Sequence, residues 1–260
     1  MVCQWNTNSD LKKPRIRHRL ELSLPQQGNL LVGKRMDLMD NGGQRQFEAV
    51  VFDMDGVLID SEPVHYESTR ILFEDEFGIP FPESANTEFL GSTDRCMFET
   101  LKARHQLQPP LEEIISRRKA LYMDLLERDG LPWRDGIRDL IANLSESGYR
   151  LGVATSGLTR IVEPTLKAGN IRHLFEVVVT GDDVPTPKPA PDIYLEAARR
   201  LAIDPARCVA IEDTDVGVRA AKAAGMTVIA FPNSTTRGMD FGPADVVTQK
   251  VEGIRTRLLR

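Results

Sequence analysis

The chain has 260 residues, of which 41% are hydrophobic and 27% charged, and its formal net charge is −5. That composition excludes a short disulfide scaffold, a fibre and a fully disordered chain. An acidic balance also argues against a surface built for nucleic acid, so no nucleic-acid partner is expected.

Residues 1–46 hold eight Lys/Arg against four acids, and Pro14, Pro25, Gly28, Gly33, Gly42 and Gly43 interrupt any periodicity. This segment reads as a basic N-terminal extension, disordered or loosely packed, because basic tails are commonly just solvated. It carries no secretory pattern, and no apolar run in the chain is long enough to span a bilayer. The three cysteines, Cys3, Cys96 and Cys208, are odd in number and far apart. They suggest a reducing compartment, here the cytoplasm, and no Cys-rich metal site.

From Phe47 onward, strand and helix signals alternate. Short apolar runs at 49–52, 151–154, 177–179, 208–211 and 227–231 each read as a strand buried on both faces. Val246-Val247 reads as a last edge strand. Between them, Ile137, Leu140, Ile141 and Leu144 mark a helix, with Asp135 placed to cap it and Gly148 to end it. Further helices are expected over 192–201 and 216–224. This alternation predicts an α/β fold, a doubly wound parallel sheet with helices on both faces. One stretch departs from it. Between Asp60 and Trp133 only helical patterns occur, over 65–77, 95–106 and 111–128. We therefore expect a core of 47–61 and 133–260, with a small helical domain inserted at 62–132.

In open parallel sheets, ligands bind beyond the carboxyl ends of the strands. The residues at those ends are Asp53 and Asp55, then Thr155 and Ser156, then the Lys188 loop, then Glu212 and Asp213. Acids, hydroxyls and one ammonium converging on one rim suit a phosphoryl group with a divalent cation, which takes oxygen ligands. Gly56 lets the chain turn after Asp55, so that both carboxylates can address one ligand. Taken singly, each motif has a plainer reading. The acids could be a polar turn, Lys188-Pro189 an exposed loop, and Glu212 or Asp213 a helix cap.

The order Asp53-x-Asp55-Gly56, Thr155, Lys188-Pro189, Glu212-Asp213 resembles the haloacid dehalogenase superfamily, in the subgroup with a helical cap inserted after strand one. The resemblance covers roughly 47–247. It implies a Rossmann-like core and a Mg²⁺-dependent phosphatase acting on a small phosphorylated metabolite, a sugar or polyol phosphate. It further implies Asp53 as the nucleophile that becomes an aspartyl-phosphate and Asp55 as the general acid/base. Thr155, Ser156 and Lys188 would hold the phosphoryl group. Asp53, the Asp55 carbonyl and Asp213 would hold the metal, with Glu212 beside or on it. The runner-up is a phosphomutase similar to β-phosphoglucomutase. Against that group, His65 matches a histidine after the cap hinge, and Lys119 falls near a cap lysine. Asp94 stands where the mutases carry a phosphate-binding Arg, and Arg95 follows one place later, so the resemblance implies His65, Arg95 and Lys119 as the cap's substrate-facing residues. A charge run such as Arg117-Arg118-Lys119 is usually just a solvated face. A monomer is expected.

Overall fold

The computed structural model describes residues 32–33, 46–89 and 94–259. Most of the basic extension and residues 90–93 lie outside the described residues. The first core strand, β2 (Ala49–Phe52), is buried on both faces and central to the sheet. It is flanked by β3 (Arg150–Ala154) and β5 (Cys208–Glu212), both parallel to it. Outward from β3 lies β4 (Val177–Val179), and outward from β5 lie β6 (Thr227–Ala230) and β7 (Val246–Val247), all parallel. Val246-Val247 is therefore not the edge. A two-residue strand, β1 (Val32–Gly33), pairs with it antiparallel. The sheet order is β1-β7-β6-β5-β2-β3-β4.

Alternate residues of β2 serve different cores. Val50 and Phe52 pack with α5 (Ile137–Glu146), α6 (Thr159–Ala168) and α9 (Val251–Leu258) on one face. Ala49 and Val51 pack with α7 (Asp192–Leu201) and α8 (Asp215–Ala223) on the other. This is the period-two logic of a strand carried through to two layers. The helix at α5 starts differently from the sequence expectation. Its N-cap position is Gly136 at φ 72, and no side chain caps it, so Asp135 does not fill that role.

The described residues of 62–129 fold as α1 (Glu62–Ile71), a π-helical turn over Leu72–Glu76, α2 (Glu83–Thr87), α3 (Asp94–His105) and α4 (Leu111–Asp129). They enclose a third apolar cluster of their own, centred on Leu72, Phe73, Phe98, Leu101 and Ile114. The two chain segments joining these helices to the sheet pair with each other. Ile59 bridges Trp133 antiparallel, and Asp60 N–H donates to Pro132 O at 2.8 Å.

Candidate active site

Successive connections leave β2 toward β3 and β4, then cross over to β5, β6 and β7. The strand order thus reverses between β2 and β5, and the crevice beyond their carboxyl ends is where such sheets bind ligands. Asp53 stands at the end of β2, its N–H held by Ile211 O at 3.0 Å. Glu212 ends β5, and Asp213 follows it. All three side chains are buried, and one carboxylate oxygen from each lies within 4.8 Å of the others.

Lys188 reaches this crevice from the loop before α7. Its Nζ donates to Asp53 Oδ1 at 2.9 Å, Glu212 Oε1 at 2.7 Å and Ala154 O at 3.1 Å. The Tyr194 hydroxyl donates to the same Glu212 Oε1 at 2.7 Å. The other oxygen, Oε2, accepts from Asp213 N, Thr214 N and Thr214 Oγ1. Glu212 thus has donors on both oxygens and is positioned chiefly as the anchor of Lys188. Its carboxylate lies against the first turn of α8, where only a glycine fits. A Cβ on Gly217 would stand 1.8 Å from Glu212 Oε1.

Asp213 differs. Its Oδ2 accepts from Asn233 Nδ2 at 3.0 Å, but its Oδ1 is buried without a partner. A buried, unmatched acceptor beside two further carboxylates is costly unless a cation completes it. Burial, helped by Glu212 and Asp55, raises the Asp53 carboxyl to about 7 despite the opposing Lys188. Burial likewise raises Asp213, with Glu212 and Asp53 adding to it. Burial depresses Lys188, but Asp53 and Glu212 outweigh it and hold the ammonium charged. The donor set of hard carboxylate oxygens and the orphaned Oδ1 fit Mg²⁺.

Asp55 is half-buried two residues on. Gly56 then turns the chain at φ 79, and a Cβ there would lie 2.0 Å from Asp213 Oδ2. Thr155 is buried at the end of β3, its Oγ1 accepting from Gly157 N at 3.1 Å, while Ser156 beside it is exposed.

On the helical side, His65 and Arg118 meet. Arg118 Nη1 donates to His65 Nδ1 at 2.7 Å, which makes that nitrogen the acceptor and leaves the proton on Nε2. Burial and the Arg118 charge both keep His65 below its ordinary range, while Asp55 acts the other way. Arg118 is 3% exposed, paired with Asp94, and its Nε has no partner. Tyr122 stacks on His65 with ring centroids 4.5 Å apart. Lys119 is next to this cluster and half-buried, its ammonium lowered by burial.

Two sequence expectations change here. Arg95 does not face the site. It is exposed and paired with Glu112 and Glu99, because consecutive helical residues diverge by about 100°. The run Arg117-Arg118-Lys119 is not uniformly solvated either. Arg117 pairs outward with Glu76 and Glu113, and Arg118 turns inward. A signal for it was present, since Ile114, Ile115, Arg118, Tyr122 and Leu125 fall on one buried stripe. Tyr194 and Asn233 were also missed. Tyr194 lies among the apolar positions of α7, and nothing in the sequence marks its hydroxyl. A cavity of about 340 Å³ beside β4 lies away from this chemistry, ringed by pairs such as Arg172–Glu163 and Arg200–Asp183.

Residues 50–231 match the family model of haloacid dehalogenase-like hydrolases. A phosphorylated carbohydrates phosphatase of Thermotoga maritima is 33% identical over 69% of this chain and 82% of its own. Hexitol phosphatase B of Escherichia coli is 32% identical over 72% of this chain and 85% of its own. A crystal structure of a CbbY variant from Rhodobacter sphaeroides, in complex with xylulose-(1,5)bisphosphate, superimposes with a TM-score of 0.70. It is 31% identical and covers 80% of this chain and 98% of its own. Among the described residues no helix is long and apolar enough to cross a membrane.

Proposed function

The chain belongs to the haloacid dehalogenase-like hydrolase family, and from that premise we propose a Mg²⁺-dependent phosphatase of a sugar or polyol phosphate, working through an aspartyl-phosphate on Asp53. Residues 62–132 act as a cap over a core formed by 47–61 and 133–260. The observation that carries this reading is one contact set. Asp53 shares Lys188 with Glu212 and lies beside Asp213, whose Oδ1 lacks a partner.

Asp53, Asp213 and the Asp55 carbonyl would hold the cation, which when bound would offset charge on the phosphoryl oxygens. The Asp53 carboxylate attacks phosphorus in line. An O–P bond forms to Asp53 as the ester O–P bond breaks, and Asp55 gives its proton to the leaving alkoxide. Lys188 offsets negative charge at the nucleophile and the transferring group. Thr155 and the Ser156 backbone bind the remaining oxygens. Asp55, now a base, takes a proton from water. That water attacks phosphorus and frees the Asp53 carboxylate and inorganic phosphate. His65, Arg118 and Lys119 face the part of the substrate away from the reacting phosphate.

The test is hydrolysis of p-nitrophenyl phosphate and of a panel of sugar and polyol monophosphates, with Mg²⁺ and with EDTA. Rapid acid quench of labelled substrate should trap phosphate on Asp53. Equal turnover in EDTA, or no label on the wild-type chain, overturns the reading.

One observation favours the phosphomutase reading. Asp94 is paired with the buried Arg118, so it is not a free carboxylate repelling a second phosphate. Glucose 6-phosphate formed from β-glucose 1-phosphate faster than phosphate is released, after priming with a bisphosphate, would select it.

A further inference from the structure

Arg134 belongs to none of the motifs at the strand ends, yet its guanidinium touches two loops of the cation site. It follows Trp133 on the return segment from the helices, and its N–H donates to Leu58 O at 3.0 Å. Its Nη1 donates to Gly56 O at 2.6 Å, and its Nη2 to Pro232 O at 3.4 Å. The guanidinium lies over the Phe231 ring, 4.0 Å from its centroid. Gly56 is the turn after Asp55. Phe231 to Asn233 is the loop after β6, which delivers the Asn233 amide to Asp213 Oδ2. These loops already approach so closely that a Cβ on Gly56 would lie 2.9 Å from Asn233 Nδ2. The guanidinium also feels the negative charges of Asp213, Asp60 and Asp135.

We propose that Arg134 is a positioning residue that clamps the Asp55-Gly56 turn against the Phe231–Asn233 loop that holds Asp213, and so sets the width of the cation pocket from the return segment. The inference rests on the reading of Asp53, the Asp55 carbonyl and Asp213 as cation ligands. A planar fork with two donors suits two carbonyls on different loops, and a face stacked on Phe231 fixes its plane. A neighbouring charge alone would act in the opposite sense. A guanidinium near Asp213 repels a divalent cation, so its loss would tighten binding. A clamp, when lost, lets the ligands drift apart, and binding weakens. The sign of the effect separates the two.

The experiment titrates Mn²⁺ into the full chain in the absence of substrate and reads free Mn²⁺ by paramagnetic resonance, with thermal melting alongside. For Arg134→Met we expect binding weaker by roughly tenfold, the scale of one charge-assisted hydrogen bond. Arg134→Lys should fall in between, because an ammonium reaches one carbonyl and not two. Binding by Arg134→Met equal to or tighter than wild type overturns the inference while leaving the cation site standing. If Arg134→Met does not melt cooperatively, Arg134→Lys decides, and wild-type affinity in that variant overturns the inference. A wild-type chain that binds no Mn²⁺ defeats the cation reading itself, and the clamp with it.

Discussion

The Lys188 ammonium stands 2.7 Å from Glu212 Oε1 and spans from it to Asp53. Glu212 is therefore held by Lys188, Tyr194, Thr214 and the Asp213 amide, whereas Asp213 keeps a bare oxygen. The two neighbouring acids should fail differently. Asp213→Asn should weaken Mg²⁺ binding by more than tenfold, on the scale of losing a charged partner in a buried site. Glu212→Gln should lower kcat with a smaller loss of Mg²⁺ affinity, since it mainly releases Lys188. Calorimetric titration of Mg²⁺ into both variants checks this, and equal losses would contradict the division.

Asp53→Asn should abolish turnover and trap no phosphoenzyme, because an amide is not a comparable nucleophile. The same change should raise the melting temperature in EDTA at pH 8, since it removes a buried carboxylate crowded by Glu212 and Asp213. Asp55→Asn should retain metal binding and lose about 10²–10⁴-fold in kcat, the usual span for general acid–base loss. Steady-state rates and melting curves decide both.

The raised Asp53 carboxyl has a pH signature. Its folded value, about 7, lies above the unfolded value of 3.8, so the folded state binds the extra proton between them. That contribution is present in full below the unfolded value and is lost as pH rises toward 7. In EDTA this group should make the protein less stable at pH 8 than at pH 5. Mg²⁺ competes with the proton for the same carboxylate, so the gain in melting temperature on adding Mg²⁺ should be larger at pH 8. An equal gain at both values would show that Asp53 is ionised throughout.

Arg118→Met should raise KM for a sugar phosphate by tenfold or more, the scale of a lost charged hydrogen bond. KM for p-nitrophenyl phosphate, which lacks the polyol, should change little. Arg95→Ala should leave both values near wild type, because its partners Glu99 and Glu112 are exposed pairs of little worth. A KM shift in Arg95→Ala equal to that in Arg118→Met would place both on the substrate.

Deleting residues 1–45 removes β1 and uncovers the edge of β7. We expect a fall in melting temperature of a few degrees, on the scale of about 1 kcal/mol. If the Val32–Gly33 pairing accounts for that fall, deletion of 1–31, which spares it, should not reproduce it.

What the sequence by itself determined lies where neighbours in the chain act together. The buried strands, their order in the chain and the acids at their ends could be read because a strand's apolar run and the polar residue that ends it are contiguous. Asp53, Asp55, Thr155, Glu212 and Asp213 all belong to such segments, whereas Lys188 comes from the loop before α7. The helical stretch after β2 was legible too, since apolar residues recur there at helical spacing. The helices α6 and α9 were not anticipated, and neither was the pairing of β1 with β7, which joins residues far apart in sequence. Tertiary structure alone decided which long side chains turn inward. Helix rotation relative to its neighbours sends Arg117 and Arg95 to solvent and buries Arg118 against His65. It also brings Arg134 to Gly56 across 78 residues, and the Tyr194 hydroxyl to Glu212. A charged or phenolic side chain carries no local mark of its partner, because that partner is set by how the elements pack, and packing is a property of the whole chain.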